Sequence, residues 1–104
     1  MSGLQLERIT DNLCYFKQLH SINLAFNLAK DTSPEFLENL VKMMTYKTKL
    51  NHLNVSYMAL GFNMCQTVVT AASQSSSLCA LHISGNQLSR IEQRFLLRIL
   101  AIKE

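Results

Sequence analysis

The chain is poor in the residues that break secondary structure and make tight turns. Its 104 residues include one proline and three glycines. An all-β sandwich needs many turns, which glycine and proline usually supply, so the composition argues against that fold class. Hydrophobic residues make up 48% of the chain and charged residues 16%, as in a folded domain and unlike a disordered one. The length suits one domain.

Cysteine is also scarce, and its number is odd. Cys14, Cys65 and Cys79 include no C-x-x-C pair. A small secreted domain held by disulfides normally has an even and denser set, so we expect a reducing, cytoplasmic location. The opening residues, MSGLQLER, lack the basic stretch and apolar core of a signal peptide, which agrees with that expectation.

Long apolar runs, glycine-rich phosphate loops and paired carboxylates in a recognisable setting are missing too. An apolar stretch such as FLLRILAI is short and contains Arg98, so we expect no membrane span. The net charge of +3 is too small to predict nucleic-acid binding without a basic patch. The histidines and cysteines are scattered without zinc-finger spacing, so we expect no metal or other cofactor.

One cysteine and one histidine stand close together in the sequence. Cys79 and His82 are three residues apart on a predicted strand, so their side chains point to opposite faces. No acidic residue stands near either to orient an imidazole. We therefore expect that the protein is not an enzyme.

A pattern of apolar residues occurs three times along the chain. KLNHLNVSYMALG aligns with SLCALHISGNQLS after a shift of 28 residues, and QLHSINLAFNLAK lies a further 31 residues back. The shared pattern is L-x-x-L-x-L-x-x-N-x-L, with Asn27 and Asn86 at its ninth place and Met58 there in the middle copy. Each copy predicts a strand followed by a turn, because apolar residues alternate along it.

Apolar residues at steps of three and four follow each strand, which predicts one helix face after each. These faces are Leu37, Leu40, Val41 and Met44; Cys65, Val68, Val69 and Ala72; and Leu96, Leu97 and Leu100. Leu6, Ile9 and Leu13 have the same spacing ahead of the first strand. The chain therefore divides into a helical half repeat at 1–18 and strand–helix repeats at 19–49, 50–77 and 78–104.

This organisation resembles the leucine-rich repeat family, in the ribonuclease-inhibitor-like subclass whose 28-residue repeats match the spacing here. The resemblance implies a single α/β domain of about three and a half repeats. It implies a right-handed solenoid with a short parallel sheet on the concave face and helices on the convex face. Because the family has asparagine at the ninth place, Met58 implies a middle turn without the usual side-chain hydrogen bonds.

Alternate strand residues of such a fold would face the concave surface. The partner-binding residues predicted there are Asn23, Phe26, His52, Asn54, Tyr57 and His82. Phe26 and Tyr57 would be adjacent, and their rings either contact a protein or pack on the adjoining loops. The row of Asn23, Asn54 and His82 binds either a partner's backbone or water.

The last predicted helix carries a basic stripe, Arg90, Arg94 and Arg98, at steps of four. The stripe either meets an acidic partner or phosphates, or is a solvated helix surface. The helix also has a second apolar row, which indicates that another repeat, a folded-back tail or another chain covers this end. That row is Phe95, Ile99 and Ile102.

The resemblance implies a non-catalytic scaffold for protein–protein interaction, within a larger leucine-rich repeat protein or a multi-subunit assembly. Since neither end shows a polar capping repeat, we expect self-association or continuation of the solenoid there. The alternative is an inhibitor or regulator of an enzyme, bound through the concave sheet face. Such a face would need acidic residues to meet a basic enzyme, and none is predicted on it, so the scaffold is favoured. Nucleic acid is not expected as a partner.

Overall fold

The computed structural model describes residues 3–15, 19–27, 34–46 and 49–101. Helices and short strands alternate along these residues, giving a mixed α/β fold with four helices and one three-stranded parallel sheet. The elements are α1 (Gly3–Leu13), β1 (Ser21–Asn23), α2 (Pro34–Tyr46), β2 (His52–Asn54), α3 (Gly61–Gln74), β3 (Ala80–His82) and α4 (Arg90–Ala101). None of the described helices has the length and apolar composition needed to cross a lipid bilayer.

The strands pair in chain order, β1 with β2 and β2 with β3. Their register matches the alignment of the sequence pattern. The aligned rows are Ser21 with His52 and Ala80, Ile22 with Leu53 and Leu81, and Asn23 with Asn54 and His82. Parallel strands need long connections, and α2 and α3 supply them. Positions that are 31 and then 28 residues apart are therefore neighbours in space.

The core lies between one face of the sheet and a row of helices. α1 packs on α2, α2 on α3, and α3 on α4. The central strand residues Ile22 and Leu53 are buried, while the residues beside them are exposed or half-buried, because side chains alternate along a strand. Leu81 in β3 is only half-buried, although Ile22 in the other edge strand, β1, is buried.

The buried helix faces follow the predicted spacing most closely in α3. There the predicted set is buried in full: Cys65, Val68, Val69 and Ala72. In α2 the buried face is rotated from the predicted one, so that Phe36 and Met43 are fully buried while Leu37 and Val41 are half-buried. The spacing of apolar residues predicts that a helix forms and roughly which face is apolar. The packing of α1 and α3 on either side of α2 decides which residues of that face are buried.

The end helices bury less. Leu96 of α4 is buried, but Leu97 is 63% exposed, so the prediction that Leu97 belongs to the buried face is wrong. Ile9 of α1 is 36% exposed. The physical reason is the same at both ends: among the described helices, α1 and α4 each pack on one neighbour and leave a flank uncovered.

Each strand leads into a turn with left-handed backbone. We call residues 24–27 the first turn, 55–60 the second and 83–88 the third. Phe26, Tyr57 and Gly85 have φ of 66°, 56° and 68°, and Ala59 and Gln87 have φ of 55° and 62°. This conformation costs an L-residue roughly 1–2 kcal/mol. The surroundings of these turns must therefore hold them in place.

The buried side chain of Asn86 joins the second turn to the third. Its Oδ1 accepts hydrogen bonds from the N–H groups of Met58 at 3.0 Å and Leu60 at 3.2 Å. Its Nδ2 donates to the carbonyls of Val55 and Ile83, both at 2.9 Å. The expectation that the second turn lacks side-chain hydrogen bonds is therefore wrong. The second turn contains no asparagine or glutamine, and Asn86 of the third turn supplies the side-chain amide that bonds to it.

Replacing Asn86 by alanine leaves buried N–H and C=O groups of the second turn without partners. We expect Asn86→Ala to lower the free energy of unfolding by about 3–5 kcal/mol, since each stranded buried group costs about 1–3 kcal/mol. Among the described residues, Asn27 Nδ2 donates within the first turn, to the carbonyls of Leu24 at 3.1 Å and Ala25 at 3.3 Å, so Asn27→Ala should cost only about 1 kcal/mol. Urea denaturation measures both values. Equal losses would contradict the bridging role of Asn86.

Candidate functional site

The sheet has one face turned away from the helices, which we call the open sheet face. Its side chains are Ser21, Asn23, His52, Asn54, Ala80 and His82. The structure thus places four predicted partner-binding residues together: Asn23, His52, Asn54 and His82. The face is polar and has no acidic side chain among its six. The sequence pattern predicted this set because alternation and register together fix it.

The two asparagines of the open sheet face shape the chain that follows them. Asn23 Oδ1 accepts a hydrogen bond from the N–H of Ala25 at 3.0 Å. Asn54 Oδ1 accepts one from the N–H of Ser56 at 3.0 Å. These are Asx-type turns, so each side-chain oxygen is occupied by local structure. The Nδ2 groups remain as outward hydrogen-bond donors.

The two histidines of the open sheet face touch each other. The ring centroids of His52 and His82 are 4.6 Å apart, with the planes tilted by 46°. His52 Nε2 is buried and has no hydrogen-bond partner among the described residues. Within the same part of the chain, no three side chains of His, Cys, Asp or Glu converge on a site that could hold a metal ion. The pair therefore offers polar contacts, mainly through the more exposed His82 ring.

Phe26 and Tyr57, the aromatic pair, are stacked in the first and second turns. Their ring centroids are 4.9 Å apart and their planes differ by 4°. The other face of Tyr57 meets the backbone of Gly85, where an added Cβ would overlap the ring. Phe26 is nevertheless 76% exposed and Tyr57 51% exposed. The predicted adjacency of the two rings is confirmed, and the rings form a flat, exposed platform beside the open sheet face.

The basic stripe lies apart from this face, on α4. Arg90, Arg94 and Arg98 are exposed, and their side chains make no ion pair or hydrogen bond with the described residues. Glu92 is on the same helix, but it is bonded to Ser89: its Oε1 accepts from the Ser89 N–H at 2.9 Å. The structure therefore divides the predicted site residues between two surfaces, the sheet side and the last helix.

Sequence reasoning missed a groove of about 390 Å³ between the third turn and α4, which we call the end groove. Its apolar lining is Ile83, Leu88, Leu96, Leu97 and Leu100. The sequence did signal it, because the last helix has more apolar residues than one buried face needs. Sequence analysis attributed that surplus to the row of Phe95, Ile99 and Ile102 instead of to the groove. In that row Phe95 packs on Phe62 with centroids 5.9 Å apart, and Ile99 is half-buried. Ile102 lies outside the described residues.

All three cysteines are free thiols. Cys79 is exposed, and its Sγ donates to the Ser77 carbonyl at 3.4 Å. Cys65 is fully buried in α3. Burial raises the pKa of the Cys65 thiol from an ordinary 9.0 to about 11, and the nearby Glu92 carboxylate adds to the rise. Cys65 is therefore a neutral core residue at neutral pH.

The contact between Tyr57 and Gly85 predicts a coupled pair of substitutions. Gly85→Ala places a methyl group in the Tyr57 ring and also strains the backbone at φ 68°. We expect it to lower the free energy of unfolding by about 2–3 kcal/mol in the wild type. In a Tyr57→Ala background only the backbone cost of about 1 kcal/mol should remain. A double-mutant cycle by urea denaturation measures the difference. Additive effects would show that the ring does not rest on Gly85.

The buried Cys65 thiol predicts a loss of stability in alkali. The unfolded thiol ionises near 9.0 and the folded one near 11, so stability falls as pH rises through this window. The loss is about 2–3 kcal/mol for this residue. Urea unfolding at pH 8 and pH 11, in reductant, should show it in the wild type but not in Cys65→Ala. An equal loss in the two proteins would contradict the raised pKa.

No protein-family model matches the chain, and no significant match to it is found among curated proteins or among solved structures. A functional inference must therefore start from the residues and geometry of the chain itself. The open sheet face, the aromatic pair, the basic stripe and the end groove are the surfaces that can carry one.

Proposed function

We propose that the chain is a segment of a right-handed leucine-rich repeat solenoid and acts as a non-catalytic scaffold for protein–protein interaction. In this proposal the sheet lines the concave face and the helices form the convex face. The binding surface is the open sheet face together with the aromatic pair. The observation that carries the proposal is the stacked, largely exposed pair Phe26 and Tyr57 beside a polar sheet.

The repeat assignment is supported by backbone contacts that recur at matching positions. Phe26 N–H donates to the Ser56 carbonyl at 3.0 Å, and Tyr57 N–H donates to Ser84 at 2.8 Å. Two residues before each of these donors, the N–H groups of Leu24 and Val55 donate to carbonyls of the next strand, both at 2.9 Å. Successive strand–turn segments thus meet through the same bonds, as modules of a repeat protein do.

The binding role is supported by the physical character of the aromatic pair. An exposed aromatic ring offers a large apolar area with few rotatable bonds, so burying it in an interface costs little conformational entropy. Here stacking already fixes the two rings relative to each other. The open sheet face adds amide and imidazole groups that pair with a partner's backbone, and it carries no charge that selects a strongly basic or acidic partner.

Substitution of the aromatic pair tests this function. We expect Phe26→Ala with Tyr57→Ala to reduce partner capture from the source cell by roughly 30-fold or more, because aromatic hot spots are worth about 2 kcal/mol or more. Quantitative mass spectrometry after crosslinking measures the capture. Tyr15→Ala is the matched control, since Tyr15 is 78% exposed and follows α1, outside the strands and the three turns.

Both variants must keep the wild-type circular dichroism spectrum. Partners that both variants retain equally would overturn the assignment of the binding surface. A captured enzyme whose activity falls on binding would instead support the inhibitor or regulator role.

A further inference from the structure

The second turn shows how a later segment of the chain supplies hydrogen-bond acceptors to the N–H groups of a turn. Four N–H groups of the second turn find acceptors in the chain segment that follows 28 residues later. The pairs are Val55 with the His82 carbonyl at 2.9 Å, Tyr57 with the Ser84 carbonyl at 2.8 Å, and Met58 and Leu60 with Asn86 Oδ1 at 3.0 and 3.2 Å. Two main-chain carbonyls and one side-chain amide oxygen therefore complete this turn.

The third turn has N–H groups at the same four positions, but no described segment supplies acceptors to them. The N–H groups at the corresponding positions belong to Ile83, Gly85, Asn86 and Leu88. None of them has a hydrogen-bond acceptor among the described residues. Left-handed residues recur at Gly85 and Gln87, as at Tyr57 and Ala59, so the third turn has the backbone shape that binds an amide oxygen in the second.

Apolar surface lies beside these unpaired groups. The end groove has a volume of about 390 Å³, and Leu97 on its wall is 63% exposed. Hydrogen-bond donors and an apolar wall thus meet at one edge.

We propose that the edge of β3, the third turn and the end groove form a docking site for an extended protein segment that runs parallel to β3. The segment supplies main-chain carbonyls to Ile83 and Gly85. An asparagine side chain of the segment supplies one oxygen to the N–H groups of Asn86 and Leu88. Apolar side chains of the segment fill the end groove. This inference rests on the proposed scaffold function and adds a second, separate surface to it.

The element order argues against a second copy of this chain as the occupant. One helix, α3, lies between β2 and β3, and α4 occupies the corresponding position after β3. A second copy that placed its β1 beside β3 would bring its α1, which precedes β1, to the position of α4. Two helices would compete for one place. A strand and turn without a preceding helix meets no such obstacle.

The chain itself contains a probe for this site, since residues 77–89 cover the second turn in the way described. A fluorescent peptide of this stretch, with Cys79→Ser to prevent disulfides, should bind the full chain saturably in a polarisation assay. Asn86→Ala in the peptide removes both hydrogen bonds of the amide oxygen and should weaken binding about tenfold or more. Asn86→Asp should also weaken binding, because it keeps the acceptor oxygen but loses the Nδ2 group that donates to main-chain carbonyls.

Variants of the full chain locate the binding surface. Leu97→Arg should abolish peptide binding, because it fills the end groove with a charged side chain. Ile91→Arg is the matched control: Ile91 is on the same helix and 79% exposed, and it does not line the groove. It should bind the peptide as the wild type does. Both residues are exposed, so both variants should keep the wild-type circular dichroism spectrum.

Three results would overturn the proposal: no binding of the peptide, equal affinity for the Asn86→Ala peptide, or binding that Leu97→Arg leaves unchanged. A wild-type dimer in sedimentation velocity that Leu97→Arg makes monomeric would assign the site to a second copy. Phe26→Ala with Tyr57→Ala should leave peptide binding intact. A negative result for the docking site therefore does not bear on the test of the open sheet face. A negative result for the open sheet face likewise does not bear on the docking site.

Discussion

The hydrogen bonds of the Asn86 side chain are the constraint on which the rest of the described structure depends. A buried amide has to be paired, and Asn86 is paired by joining two consecutive turns. Its main chain also contributes, since the Asn86 carbonyl accepts from Gly61 N–H at 3.2 Å. α3 begins at Gly61 and has no side-chain cap. The third turn thus fixes the shape of the second turn and the start of the helix that follows it.

The last helix begins differently. Ser89 and Glu92 form a reciprocal capping box at α4, with Ser89 N–H to Glu92 Oε1 at 2.9 Å and Glu92 N–H to Ser89 Oγ at 3.1 Å. α4 therefore needs no acceptor from a later segment, whereas the turn before it does. At this edge the helix pairs its own first donors, whereas the turn before it leaves N–H groups without acceptors among the described residues. The proposed docking of a protein segment depends on those N–H groups.

The alternation and spacing of apolar residues predicted the strands, and the resemblance to the leucine-rich repeat family implied their parallel order and the residues that share the open sheet face. Register follows from alternation because a slip of one residue would expose Leu53 and bury its neighbours. The adjacency of Phe26 and Tyr57 followed from the same register, and the structure adds that their rings are stacked. The burial of Leu97 could not be predicted, because helical spacing marks a face without showing whether a neighbour covers it.

The sequence by itself determined the alternation of strands and helices, the aligned rows of the sheet and the position of the aromatic pair, because periodicity acts through the local geometry of each element. Tertiary structure alone decided that Asn86 completes a turn 28 residues earlier, that Gly85 makes room for a ring, and that N–H groups of the third turn find no acceptor among the described residues. These features depend on which groups meet across the sheet. A hydrogen bond forms only within a narrow range of distances, and the order of residue types along the chain does not give those distances.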